Sequence, residues 1–267
     1  MSNFADVMVK ALFFDIDGTL VSFKTHRIPH STISAIEQAK ARGVRIYIST
    51  GRPLSIINNI GEIADLVDGY IATNGAYCMV GNEVIHCGEI PRRDVDTFMR
   101  LADEQGFSCM VVGEHDLAIY NGDEKINAIF RGVLNVKDIP ENVPMEPILR
   151  QRILQLTPVM TEEEEARLMT QLPGCIASRW CPDFMDITAK GADKGNALKI
   201  MAAHQHIDIQ ETMAFGDGGN DLSIIQDAGI GVAMGNANEC LKQAADYVTT
   251  SVDEDGVYNA LKHFEVI

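Results

Sequence analysis

Three short apolar runs in this chain each end abruptly in small and polar residues, and that form restricts the fold more than any other feature. Residues 11–14 (Ala-Leu-Phe-Phe) run into Asp15, Ile16, Asp17, Gly18 and Thr19. Residues 44–49 run into Thr50, Gly51, Arg52 and Pro53, and residues 212–215 into Gly216, Asp217, Gly218, Gly219, Asn220 and Asp221. A strand with one wet face alternates apolar and polar residues; a largely apolar strand is covered on both faces, as in a parallel sheet between helices. In open α/β sheets the ligand site lies where such strands end. The polar tips therefore predict a site, and the apolar bodies predict the scaffold that holds it.

The periodicities extend this reading. Strands are expected at 9–14, 44–49 and 69–73, with helices at 31–42, closed by Gly43, and near 53–64. The last part repeats the alternation, with helix 194–204, strand 212–215, helix 220–228, strand 230–234, helix 237–245, strand 246–249 and a final helix after Asp253. Such alternation predicts an α/β fold with a Rossmann-like, doubly wound parallel sheet. The middle differs in character. Strand-like segments at 76–80 and 83–87 flank Gly81 and Asn82, a hairpin signal, and a helix at 91–105 ends at Gly106. Strands at 108–112 and 117–120, a helix near 122–134, a strand at 152–157, a helix from Thr161 and a strand around 175–180 complete an inserted α+β unit. The expected organisation is a discontinuous core of 1–84 and 188–267 around an insert of 85–187.

Asp15, Asp17 and Asp217 at one locus would repel each other and any phosphate, so the site needs a hard divalent cation; Mg2+ with oxygen ligands fits. Ile16, Thr50, the Gly51 turn, Lys194 and Asn220 are candidates to hold phosphate oxygens, with Arg52 as an added attraction for an anion. Lys194 opens a helical pattern, where the dipole favours anions, and that misfit points to a task for its charge. Other readings are weaker. An EF-hand loop starting at Asp15 would want Gly at Leu20 and Glu at His26. The glycines at 229, 231 and 235 lie within an apparent strand and are wrongly spaced for a dinucleotide fingerprint, and no P-loop is present.

The set Asp15-Ile16-Asp17-Gly18-Thr19, Thr50-Gly51-Arg52, Lys194 and Gly216-Asp217-Gly218-Gly219-Asn220-Asp221, in this order and with a long insert before the lysine, resembles the haloacid dehalogenase superfamily. More narrowly it resembles the Cof-type sugar phosphatases. The resemblance implies that Asp15 attacks phosphorus and that Asp17 is general acid, then general base. It implies Mg2+ on a carboxylate oxygen of Asp15, the backbone carbonyl of Asp17 and the carboxylate of Asp217, with Asp221 nearby. It makes the insert a cap that closes over the site. From their own chemistry, Trp180 and Arg179 read equally as a core indole with a surface arginine or as a pair that faces the site and contacts the leaving group, and Asn74, beside the hinge, is a similar candidate. The implied substrate is a small phosphorylated metabolite, a sugar phosphate above all. A phosphomutase of the same fold and a silent binding module are the alternatives.

Composition sets limits. With 22 Lys and Arg against 38 Asp and Glu, the formal charge of -16 and the lack of a basic block argue against a nucleic-acid or anionic-membrane partner. The N-terminal residues form no secretory signal, and no apolar run approaches a membrane span. The six Cys form no C-x-x-C pair or zinc pattern, which points to reduced thiols in a cytoplasm. A monomer or small homo-oligomer is expected. His204 and His206 lie near a helix end and read as surface groups. The acidic run 162–165 reads as a helix start, with Thr161 and Glu164 forming a capping box.

Overall fold

The computed structural model describes residues 8–136, 139–140 and 143–267; the side chains of Val133, Trp180 and Cys181 lie outside the described residues. The chain opens with β1 (Ala11–Phe14), α1 (His30–Ala41), β2 (Arg45–Ser49), β3 (Gly69–Ala72), β4 (Tyr77–Val80) and β5 (Glu83–Cys87). It continues through α2 (Arg92–Gln105), β6 (Cys109–Gly113), β7 (Leu117–Tyr120), α3 (Glu124–Asn127), α4 (Glu146–Leu149), β8 (Ile153–Pro158), α5 (Glu162–Met169), β9 (Cys175–Cys181) and β10 (Phe184–Ala189). It closes with α6 (Lys194–His204), β11 (Thr212–Gly216), α7 (Leu222–Asp227), β12 (Ile230–Ala233), α8 (Glu239–Ala244), β13 (Tyr247–Val248) and α9 (Gly256–His263).

Two sheets result. The larger runs β13-β12-β11-β1-β2-β3-β4-β5, parallel from β13 to β3 and antiparallel across the last two pairs. Every residue of β1 is fully buried because the sheet is covered on both faces. Leu12 and Phe14 face Ile36 of α1 and Leu261 of α9, whereas Ala11 and Phe13 face Leu198 of α6 and Ile225 of α7. Phe14 stacks on Phe215 at 4.8 Å and Phe13 on Tyr47 at 4.9 Å, so aromatic pairs lock the central strands from opposite sides. This is the doubly wound α/β fold that the apolar runs predict.

The second sheet, β7-β6-β8-β10-β9, is antiparallel. One face packs on α2 through Phe98 and Leu101; the other carries Met110, Phe130 and Phe184 in a cluster that also takes Ile56 from the larger unit.

Several expectations are corrected. The hairpin β4–β5, read with the insert, hydrogen-bonds to β3 and extends the larger sheet. The expected division at 84/85 falls inside β5 and that at 187/188 inside β10, so the chain changes sheets after Cys87 and after Ala189. The helix near 53–64 is two 3-10 turns, Leu54–Ile56 and Gly61–Leu66, because Ile57 between them is extended (ψ 96). The helix near 122–134 is α3 followed by a π-helical stretch, Ala128–Val133. Strand β10 adds to the expected elements. The capping box is present: Thr161 N–H donates to Glu164 Oε2 (2.8 Å) and Glu164 N–H to Thr161 Oγ1 (3.4 Å).

Candidate active site

Asp15 follows β1 directly, and its N–H still donates to Phe215 O (3.1 Å), so the carboxylate leaves from a fixed strand end. The chain then tightens: Leu20 and Val21 N–H both donate to Ile16 O, at 3.0 and 2.7 Å. Gly18 is required in this turn for two reasons. Its φ is +88, and a Cβ would stand 2.2 Å from Asp217 Oδ2. The turn therefore seats the loop after β1 against the loop after β11.

Lys194, the first residue of α6, resolves its sequence misfit. Asp193 caps the helix by accepting from Asn196 N–H (2.9 Å), while the Lys194 ammonium reaches Asp15 Oδ1 at 2.8 Å and Asp221 Oδ1 at 2.6 Å. The lysine is fully buried. Asp221 Oδ2 accepts from the N–H groups of Asp217 (3.0 Å) and Gly218 (2.9 Å), which sets the loop that carries Asp217. Thr19 Oγ1 (3.3 Å) and Asn236 Nδ2 (3.3 Å) donate to Asp217.

The electrostatics follow from burial and crowding. Desolvation pushes Asp15 up to about 7, opposed by Lys194 and reinforced by Asp221 and Asp17. Burial, then repulsion from Asp15 and Asp221, pushes Asp217 up to about 9. Burial alone would pull Lys194 down, but Asp15 and Asp221 outweigh it and raise its pKa. Asp15, Asp217 and Asp221 each bring a carboxylate oxygen within 4.8 Å of the others. Three hard oxygen donors gathered this closely, with Asp15 and Asp217 raised first by burial and then by their carboxylate neighbours, fit a divalent cation, which would relieve that repulsion.

Asp17 stands apart from this cluster. Both its oxygens are gripped by Arg52, Nε to Oδ2 at 2.7 Å and Nη2 to Oδ1 at 2.7 Å. The buried guanidinium also donates to Ile56 O (3.2 Å) and to Leu134 O (2.9 Å) of the inserted unit. Arg52, expected among the phosphate ligands, is thus engaged by Asp17 and by the two carbonyls. The Ile16 side chain is fully buried, which leaves its backbone as the group it can offer.

Asn220 and Asn74 meet: Asn220 Nδ2 donates to Asn74 Oδ1 (3.0 Å). Asn74 sits in a left-handed conformation (φ 51) beside Thr50, whose carbonyl accepts its N–H (3.1 Å). Arg179, for which the sequence left a surface and a site-facing reading open, donates to Glu165 Oε2 (2.8 Å), Met160 O (3.0 Å) and Pro182 O (2.8 Å). Its backbone carbonyl is what approaches the site, 2.7 Å from where a Cβ on Gly219 would lie. The Trp180 side chain lies outside the described residues.

A cavity of about 580 Å³ opens in front of these groups, lined by Asp15, Asp17, Thr50, Gly51, Asp217 and Asn220 on one side and by the inserted unit on the other. That far wall holds what sequence reasoning missed. Asp186 Oδ1 accepts from Thr157 Oγ1 (2.7 Å) and Gln155 Nε2 (3.0 Å), and its Oδ2 accepts from Asn74 Nδ2 (2.9 Å). The signal available was a lone carboxylate in a mostly apolar run at 184–189.

A family model of the haloacid dehalogenase-like hydrolases matches residues 12–261, which takes in all four motifs. The chain belongs to that family. The "Putative phosphatase YkrA" of Bacillus subtilis (strain 168) is 31% identical over 259 residues, covering 97% of this chain and 98% of that one. The solved structure of the HAD subclass IIB sugar phosphatase BT4131 is 49% identical with a TM-score of 0.93, covering 97% and 100%. The phosphatase BT1666 from Bacteroides thetaiotaomicron is 38% identical with a TM-score of 0.88, covering 97% and 96%. Within the family the chain is a Cof-type phosphoric monoester hydrolase. HAD phosphatases generally use a divalent metal, in keeping with the three clustered aspartates. No described helix is long and apolar enough to cross a membrane.

Proposed function

We propose that this hydrolase is a Mg2+-dependent phosphatase of small phosphorylated metabolites, sugar phosphates first, working through an aspartyl-phosphate on Asp15. The observation that carries the reading is the pairing of Asp15 with Lys194 at 2.8 Å, with carboxylate oxygens of Asp217 and Asp221 within 4.8 Å of that of Asp15, and with Asp15 and Asp217 lining the cavity. An ion at Asp15, Asp217 and Asp221 would neutralise the carboxylates and polarise a phosphoryl oxygen. The BT4131 likeness supports the sugar phosphate class.

The chain's own residues divide the work. A carboxylate oxygen of Asp15 forms a bond to phosphorus as the ester P–O bond breaks, and Asp17 delivers a proton to the departing oxygen. Asp17 then takes a proton from the water that attacks phosphorus, releasing phosphate and restoring the Asp15 carboxylate. Thr50, the Gly51 backbone, Lys194 and Asn220 face the phosphoryl oxygens, where charge gathers. Arg52 orients Asp17 through its two-point grip. The inserted unit acts as a cap, since its wall closes the cavity opposite Asp15.

Phosphate release from p-nitrophenyl phosphate and a sugar phosphate panel, with Mg2+ and with chelator, tests this reading. Release that requires both metal and Asp15 is the expected result. Full activity of Asp15→Asn would refute the covalent route, and isomer interconversion without phosphate release would indicate a mutase.

A further inference from the structure

Resting on the phosphatase reading, in which Asn220 holds a phosphoryl oxygen, we infer that Asn74 is a positioning residue. It orients the amide of Asn220 for phosphate, and it does so only while the inserted unit is docked on the larger one.

Asn74 belongs to a turn that the chain holds at a cost. Thr73, Asn74 and Gly75 follow β3 with φ of 49, 51 and 99, left-handed residues in succession. Asparagine and glycine take that conformation readily; a β-branched threonine does not. Thr73 is kept there because its N–H donates to Arg52 O and the N–H of Asn74 donates to Thr50 O, both at 3.1 Å. The turn is therefore tied to the loop that carries Thr50 and Gly51, and Asn74 is buried within it. Strained backbone that tertiary bonds maintain gathers at functional sites.

A side-chain amide fits its surroundings in two ways, related by a flip that exchanges oxygen and nitrogen. The neighbours of Asn74 select one. Asp186 Oδ2 (2.9 Å) and Gln155 Oε1 (3.3 Å), both on the inserted unit, accept from Asn74 Nδ2. Gln155 is itself fixed, since its Nε2 donates to Thr157 Oγ1 (3.1 Å) and Asp186 Oδ1 (3.0 Å). The oxygen of Asn74 then faces Asn220 and accepts from Asn220 Nδ2 at 3.0 Å. That nitrogen carries two N–H groups. One goes to Asn74, and the other remains for a phosphoryl oxygen in the cavity that Asn220 lines.

The contacts thus run from the inserted unit through Asn74 to Asn220 and phosphate. With the unit undocked, Asn74 loses both acceptors, its amide is free to turn, and Asn220 loses the bond that orients it. Linkage is reciprocal, so phosphate held by Asn220 favours docking by the same factor.

Calorimetry of inorganic phosphate with Mg2+ tests this without turnover. Asn74→Gly suits φ 51 and removes only the side chain. It should weaken phosphate about tenfold, Asn220→Ala by at least as much, and the double variant no more than Asn220→Ala alone. Wild-type affinity in Asn74→Gly, or losses that multiply in the double variant, would overturn the inference. A second cycle needs no change at Asn74. Gln155→Met, made on the inserted unit, should weaken phosphate about threefold alone and not at all in the Asn220→Ala background. Equal effects in both backgrounds would likewise overturn the inference. A parent protein that shows this coupling yet releases no phosphate from any ester would overturn the phosphatase reading while supporting the role of Asn74.

Discussion

Replacing Lys194 by Met should be costly to the fold as well as to turnover, and the cost should depend on pH in an unusual direction. Met nearly matches the lysine stem in volume, so the perturbation is the loss of the ammonium that lies 2.8 Å from Asp15 and 2.6 Å from Asp221. Removing one partner of a fully buried charge cluster leaves the others uncompensated, a loss of about 3–5 kcal/mol. In a chain of this size each kcal/mol moves Tm by about 2–4 °C, which predicts a fall of roughly 6–20 °C. The metal-free wild type already has Asp15 raised from 3.8 to about 7 and Asp217 to about 9. Carboxylates raised in the native state favour folding while protonated, so this contribution is full below pH 4 and is lost as pH climbs through 7 and 9. Removing Lys194, which lowers both, should steepen that loss. Lys194 itself, raised above its ordinary 10.5, contributes throughout this range and loses its effect only above it. Chemical unfolding in chelator at pH 5, 7 and 9, repeated with Mg2+, measures all of this. Stability of Lys194→Met within about 1 kcal/mol of wild type at pH 9 without metal would refute the buried-cluster account.

Arg52→Lys keeps a charge but loses the fork on Asp17, so hydrolysis of a sugar phosphate, whose leaving oxygen needs a proton, should fall about tenfold more than hydrolysis of p-nitrophenyl phosphate. Equal losses for the two esters would show that Arg52 acts on something other than proton delivery. Gly18→Ala places a methyl 2.2 Å from Asp217 Oδ2 at φ +88 and should cost about 2 kcal/mol and weaken Mg2+ binding. A calorimetric Mg2+ titration matching wild type would contradict it. Thr161→Ala removes the α5 capping box and should cost about 1 kcal/mol in thermal unfolding with kcat/KM unchanged.

What was legible in the sequence is what a single element states about its own surroundings. Residues 11–14 are apolar throughout because β1 is covered on both faces, and that alone implied the layers and the rim where Asp15 sits. Lys194 at a helix start was legible as an anomaly, since the dipole gives no reason for a cation there. The capping box at Thr161 was legible because its two bonds span three residues. Local rules failed where a distant group decides. The 53–64 segment has helix-like spacing, yet the chain departs from it at Ile57, next to the Ile56 carbonyl that Arg52 uses. Strand β10 carries Asp186, and a carboxylate in an apolar run argues against a buried strand until its donors are known.

Those donors come from Asn74, Gln155 and Thr157, which lie 112, 31 and 29 residues away. No periodicity reports such a meeting: Gln155 and Thr157 look like ordinary polar residues in their own segment, and Asn74, though a candidate by its position, names no partner. The same is true of Arg52 and Asp17, 35 residues apart, whose charges read from sequence as phosphate ligand and acid rather than as a pair. The division has a physical cause. Phosphoryl chemistry needs groups at fixed offsets from strand ends, so its motifs are local and repeatable. The wall that faces those ends is different, since only tertiary packing of the inserted sheet brings Asp186 and Gln155 to the cavity. The reaction class was therefore readable from four short segments, while the Asp186 network had to wait for the packing that brings Asn74, Gln155 and Thr157 to it.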